Sequence, residues 1–278
     1  DYAVRLMHEG DIELAYVEGV ELMAGEEFTF ELPWTPDAEG PAMIWAEVVF
    51  ENDELPDNNF SEVYTVNVFP EGTEVTQVGD GEEEYKIPLN YFWKNSLSEV
   101  MYYPEEINAG GMLLGVSYQY NFAGDVPADM PVNVWVGETS EPNFENGWIP
   151  ADELTQVYSG TFTYSEGEGT MYIPLDEPYM YTGGNLVVMV QRPMDDVYYS
   201  SSNEFYGTET EIEMRTIDAY SDSEEFDPYN PPEVSKGVYY RTYIPNTTLF
   251  FDVTGLGSLT GTVFDEEGNP FPGVDVDV

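Results

Sequence analysis

Apolar residues recur at every second position along most of this chain. In Glu27-Phe-Thr-Phe-Glu-Leu32, Val63-Tyr-Thr-Val-Asn-Val68, Val132-Asn-Val-Trp-Val136 and Gly261-Thr-Val-Phe264 apolar residues recur at alternate positions. A strand sends successive side chains to opposite faces, so this period predicts strands with one buried and one solvated face. Leu186-Val-Val-Met-Val190 is apolar throughout and predicts a central strand buried on both faces. Thr35-Pro-Asp, Pro70-Glu-Gly, Gly110-Gly and Thr182-Gly-Gly supply turn chemistry at short intervals. Short strands between regular turn signals predict an all-β chain of sandwiches. The helix-like stretches Pro104-Glu-Glu-Ile107 and Pro150-Ala-Asp-Glu-Leu154 each open on proline and predict about one turn apiece.

Turn-rich junctions at Phe69-Pro-Glu-Gly72 and Thr254-Gly-Leu-Gly257 divide the chain into residues 1–70, 71–254 and 255–278. The first run, Tyr2-Ala-Val-Arg-Leu-Met7, is already strand-like, so the chain reads as a piece of something larger, with no signal peptide at its start. No apolar run is long enough to span a bilayer, and membrane insertion is not expected.

Charge sharpens this picture. Asp and Glu number 55 against 7 Lys and Arg, a formal net charge of −48, with no cysteine. Phosphate binding needs clustered cations, so nucleic acid is excluded as a partner. Such self-repulsion is screened in concentrated salt, which points to a halophilic protein suited to salty or divalent-rich water. High acidity with few aromatics would mean disorder. Here 22 Tyr, 15 Phe and 5 Trp supply a core. The lack of cysteine excludes disulfides, thiolate metal sites and a cysteine nucleophile.

Three stretches carry resemblances. Leu22-Met-Ala-Gly-Glu26, Phe30-Glu-Leu-Pro-Trp-Thr-Pro36, Ile44-Trp-Ala-Glu-Val48 and the loop Glu51-Asn-Asp-Glu-Leu-Pro-Asp-Asn-Asn59 resemble the CARDB family, an immunoglobulin-like adhesion module, here N-terminally truncated. That resemblance implies that Asn58 and Asn59 close their loop against backbone groups. Ile87-Pro-Leu-Asn-Tyr-Phe92, Met112-Leu-Leu-Gly-Val-Ser-Tyr118, Trp135-Val-Gly137 and Asn185-Leu-Val-Val188 follow an order similar to the jelly-roll-like adhesin modules of Bacteroidetes proteins exported by the type IX route. Residues 257–278, with Gly268-Asn-Pro270 at the turn, look like the first hairpin of a carboxypeptidase regulatory-like domain, a module without peptidase activity. The expected architecture is therefore all-β: an immunoglobulin-like sandwich, a larger jelly-roll-like β-sandwich, and a partial third sandwich.

No catalytic constellation stands out. His8 is the only histidine and has no serine near it in sequence. Two-carboxylate glycosidase chemistry stays open only because carboxylates are everywhere. Calcium takes six to eight oxygens, and Asp53, Asp57, Asn58 and Asn59 are the candidate metal ligands, with Asp195-Asp196 and Asp218 to Asp227 offering more oxygen. Tyr102-Tyr103, Tyr198-Tyr199, Tyr239-Tyr240 and Trp148 are candidates for a sugar platform. Asn59-Phe-Ser61 and Asn246-Thr-Thr248 match the glycosylation pattern alone.

The expectation is a non-enzymatic extracellular or cell-surface module of a long multidomain surface or filament protein. Its partners would be other chains, copies of itself or glycans. Strand addition at residues 2–7 and 258–264 would complete its cut modules. The alternative is a carbohydrate-binding accessory module of a secreted enzyme.

Overall fold

The computed structural model describes residues 2–234 and 237–254. The chain divides into two compact units, the first ending at Glu71 and the second starting at Gly72. Both are all-β.

In the first unit β1 (Ala3–His8), β2 (Ile12–Glu18), β3 (Gly40–Val49) and β4 (Tyr64–Val68) form one antiparallel sheet in the order β2-β1-β3-β4. Strand β1 pairs on both sides, Val4 facing Val17 and Val48. Its backbone groups are therefore already bonded, and residues 2–7 are no edge for strand addition. The edges are β2 and β4, which corrects the sequence expectation. A second correction falls at Glu27-Phe-Thr-Phe-Glu-Leu32, which alternates yet forms no strand. Alternation makes a strand only beside a ladder partner, and here the Phe28 and Phe30 rings pack edge-on at 4.9 Å, with Phe30 against Tyr2.

The second unit comprises β5 (Thr73–Val78), β6 (Glu83–Tyr85), β7 (Asn95–Tyr102), α1 (Pro104–Ile107), β8 (Gly111–Phe122), β9 (Met130–Thr139), β10 (Thr155–Phe162), β11 (Gly167–Tyr181), β12 (Asn185–Arg192), β13 (Glu204–Glu209), β14 (Thr216–Ser221), β15 (Val238–Arg241), β16 (Tyr243–Pro245) and β17 (Thr247–Asp252). One sheet runs β10-β9-β12-β7-β14-β15; the other runs β16-β13-β8-β17-β5, with β11 on β8 and β6 on β13. The sheets face each other across one core. Val134, Val136, Val188, Val190, Val100 and Tyr102 of the first meet Val116, Tyr118, Phe122, Ile173, Leu249 and Phe251 of the second. Burying each such side chain contributes about 1.5–3 kcal/mol. Both expected single turns are present, α1 and a 3-10 turn at Ala151–Glu153.

The outer faces of the two sheets differ. Leu97, Met101, Trp135, Val187, Met189 and Ile217 point outward from the first sheet but lie buried beneath Phe144, Trp148, Ile149, Ala151, Leu154 and Phe226. That cover explains the uninterrupted apolar run in β12. The second sheet presents Gln119, Asn121, Thr170 and Glu168 on its outer face, while Ser117 and Phe250 on that face are buried, Phe250 against the Tyr172 ring. Residues 255–278, on which the expected regulatory-like hairpin and the expected strand addition at 258–264 fall, lie outside the described residues.

Candidate functional site

The loop with the expected metal ligands is a compact turn. Asp53 Oδ1 accepts the Leu55 N–H at 2.9 Å, and a 3-10 turn spans Pro56–Asn58. Asp57 and Asn58 are exposed, and the loop is closed by the Asn59 carbonyl, which accepts the Val48 N–H at 2.8 Å. The closure thus runs through the backbone of Asn59. Among the described residues no three His, Asp or Glu side chains converge where a metal ion could sit.

The other acidic stretches are committed to local structure. Asp195 accepts from Arg192 and from the Val197 N–H, and Asp196 pairs with Lys94 at 3.5 Å. Asp218 binds Arg241 at 2.7 Å. Burial lifts the Asp218 carboxyl above its usual range, against the pull of Arg241. Each described cation is paired: Arg5, Lys86, Lys94, Arg192, Arg215 and Arg241 all meet a carboxylate. His8 sits at the end of β1, its Nδ1 3.1 Å from the Glu9 carbonyl.

The tyrosine candidates separate by whether a ring face is free. Tyr102 is buried, its hydroxyl 2.7 Å from Thr247 Oγ1, and Tyr103 donates to the Pro142 carbonyl. Trp148 is half-buried in the cover. Tyr198 is exposed with the Lys94 ammonium 5.2 Å from its ring centre. Tyr239 belongs to a ladder. Trp93 leans on Tyr220 at 4.9 Å, Tyr220 stacks on Tyr239 at 5.2 Å, Arg241 lies over both Tyr239 and Tyr243, and Tyr243 stacks on Tyr85 at 3.8 Å. Tyr220 and Tyr239 belong to one sheet and Tyr243 and Tyr85 to the other, so the ladder fastens the sandwich along one side. Its rings spend their faces on one another and offer only edges to a ligand.

A further surface site lies on the outer face of the second sheet, where sequence reasoning placed nothing. Two adjoining cavities of about 600 and 360 Å³ share Gln119, Glu168 and Tyr206. Strand β8 alternates Tyr118, Tyr120 and Phe122 into the core with Ser117, Gln119 and Asn121 outward. Pairing with β11 sets Glu168 opposite Asn121 and Thr170 opposite Gln119. The Tyr206 hydroxyl donates to Glu168 Oε1 at 2.9 Å, and that bond holds the phenol above its ordinary pKa. Asn121 Nδ2 donates to Glu84 Oε1 at 2.7 Å. Asn246 is buried and donates to the Gly81 carbonyl and to Gln119 Oε1. Its amide is therefore not presented for glycosylation in the folded chain. Gly81 is required here, since a Cβ on it would lie 2.2 Å from the Gly207 carbonyl oxygen. The signal available in sequence was Ser117-Tyr-Gln-Tyr-Asn-Phe122, an alternation of large rings with amides and a hydroxyl.

No family model matches the chain, and no curated protein matches it. No helix among the described residues is long and apolar enough to cross a membrane.

Proposed function

We propose that this chain is a non-enzymatic structural and adhesive part of a multidomain extracellular or cell-surface protein. The observation that carries the reading is the fastening of the second unit. A ladder of rings and one guanidinium joins its two sheets along one side, and the Tyr102–Thr247 hydrogen bond ties them through the core. Two sheets locked by stacking and hydrogen bonds resist shear better than two held by apolar contact alone, which suits a load-bearing module. The strongly negative surface favours a hydrated, salt-rich exterior. An immunoglobulin-like first module, a jelly-roll-like second one and a regulatory-like third belong to this reading, as does bacterial export by the type IX route. Assembly with other copies by strand addition would use β2 or β4, the edges of the first sheet.

Antibodies raised against the second unit should label intact, unpermeabilised source cells or their surface filaments. Label found only after permeabilisation would overturn the reading.

A further inference from the structure

The outer face of the second sheet lacks what would make it a mere solvated surface. Its amides and carboxylates are held in register by strand pairing and by each other, and they surround a single ring, Tyr206. Gln119 Oε1 is engaged by Asn246, which leaves its amide nitrogen free to donate. Glu84 and Glu168 each use one oxygen within the face and present the other as an acceptor. Asn246 is fixed beneath them by Thr208 Oγ1 at 2.8 Å, so the floor is built before any ligand arrives. Planar donors and acceptors beside an aromatic ring with no stacked partner among the described residues suit a sugar, whose hydroxyls take up hydrogen bonds while a C–H face packs on the ring.

Other ligand classes fit less well. A peptide strand needs an open edge or apolar side pockets, and this groove is lined chiefly by polar and charged side chains. An anion needs a free cation, and every described Lys and Arg is already in an ion pair. A metal ion needs converging ligands, and the described carboxylates do not converge.

We propose that this groove binds a neutral oligosaccharide, with Tyr206 as the stacking ring and Gln119, Glu84 and Glu168 as hydroxyl partners. The proposal rests on the adhesive reading above and names what the module adheres to. Charge-assisted bonds from sugar hydroxyls to Glu84 and Glu168 supply the stronger contacts. The surrounding negative charge turns away uronate-bearing glycans.

Calorimetry of the whole chain with cellotetraose, mannotetraose, xylotetraose and chitotetraose tests this, with polygalacturonate and a lysine-rich peptide as counter-probes. At least one neutral probe should bind. Tyr206→Ala and Gln119→Ala should each weaken it at least tenfold, while Tyr206→Phe, which keeps the ring, should cost only a few-fold. Tyr229→Ala, on a remote loop, should leave binding unchanged, and melting curves confirm that all four variants fold. The proposal is overturned by absence of binding to every neutral probe at millimolar concentration, by binding indifferent to Tyr206→Ala and Gln119→Ala, or by preference for either counter-probe. Surface labelling without glycan binding would remove this inference alone; label confined to the cell interior would remove the reading beneath it.

Discussion

Glu99 Oε2 accepts the backbone N–H of Ile149 at 3.0 Å, and the carboxyl that does so is fully buried. Its other oxygen has no hydrogen-bond partner among the described residues, and neither do the indole nitrogens of Trp135, beneath the same cover, and Trp148, within it. Burial raises the Glu99 carboxyl well above the ordinary range; the Ile149 bond opposes this and the charge of Glu153 adds to it. Glu99 thus latches the cover to the first sheet through a carboxyl whose burial favours its protonated form.

The consequence is a pH dependence of defined sign. The folded state holds this proton more tightly than the unfolded state does. Its contribution is full below the unfolded carboxyl's pKa of about 4.3 and is lost as pH rises through the higher folded value. Glu99→Gln keeps the shape and cannot ionise. Its melting temperature relative to wild type should rise from pH 5 to pH 8, at about 2–4 °C for each kcal/mol gained in a domain of this size. Parallel curves for the two proteins across that range would show that Glu99 does not titrate as argued.

Arg241 and Asp218 make a second coupled pair. Asp218 is nearly buried, and removing Arg241 strands it. Arg241→Met should cost about 3–5 kcal/mol, the range for breaking a buried pair on one side. Adding Asp218→Asn should recover part of that loss, since the stranded charge is gone. Urea denaturation of the two single variants and the double variant measures the coupling. A double variant as unstable as the sum of the singles would mean that the two side chains act independently.

The ladder phenols report on the same seam. Burial is the main cause that pushes Tyr85, Tyr220 and Tyr243 up to about 12. An unfolded phenol loses its proton near 10, so these groups keep stabilising the fold up to about pH 10 and withdraw that support between 10 and 12. Absorbance at 295 nm should rise in two waves, the later one accompanied by loss of the far-ultraviolet strand signal. All 22 tyrosines ionising in one wave near pH 10 with the fold intact would contradict the packing.

How far the sequence was legible depends on which partner a residue needed. Leu186–Val190 revealed its two buried faces because every position is apolar. Glu27–Leu32 misled because its alternation has no ladder neighbour, and pairing partners are not written in a single segment. Glu99 lies between Leu97 and Met101 on one strand face and reads as a solvated interruption. Its burial comes from residues 144–154, a covering segment whose place no local pattern specifies. The tyrosine pairs were legible as aromatic clusters, but whether a ring face stays free depends on partners such as Arg241 and a strand of the opposite sheet. The groove was partly legible in Ser117–Phe122. Glu84, Glu168 and Tyr206 reach it from three other places in the chain, and only topology assembles them.

Salt should stabilise this protein, and the ion pairs say why. Seven cations against 55 carboxylates leave 48 formal charges uncompensated. Added sodium chloride weakens both the attractive pairs and the general repulsion. The pairs are few and short, and those of Arg192, Arg215 and Arg241 are partly shielded from solvent. Exposed pairs contribute only about 0–1 kcal/mol each. The repulsion is long-range and borne by the whole surface. Screening therefore removes more repulsion than attraction as the Debye length falls from about 30 Å at 0.01 M to about 3 Å at 1 M. The melting temperature should climb with sodium chloride, most steeply at the low end. Calcium chloride at matched ionic strength should raise it further if Asp53, Asp57, Asn58 and Asn59 hold an ion, because a ligand that binds only the folded state stabilises by mass action. Asp53→Asn with Asp57→Asn should abolish the calcium increment and leave the sodium curve nearly unchanged. A melting temperature that is flat or falling with sodium chloride would show that local pairing, not net charge, governs stability. Coincident calcium and sodium curves would remove the ion from the 53–59 loop and leave the screening argument standing.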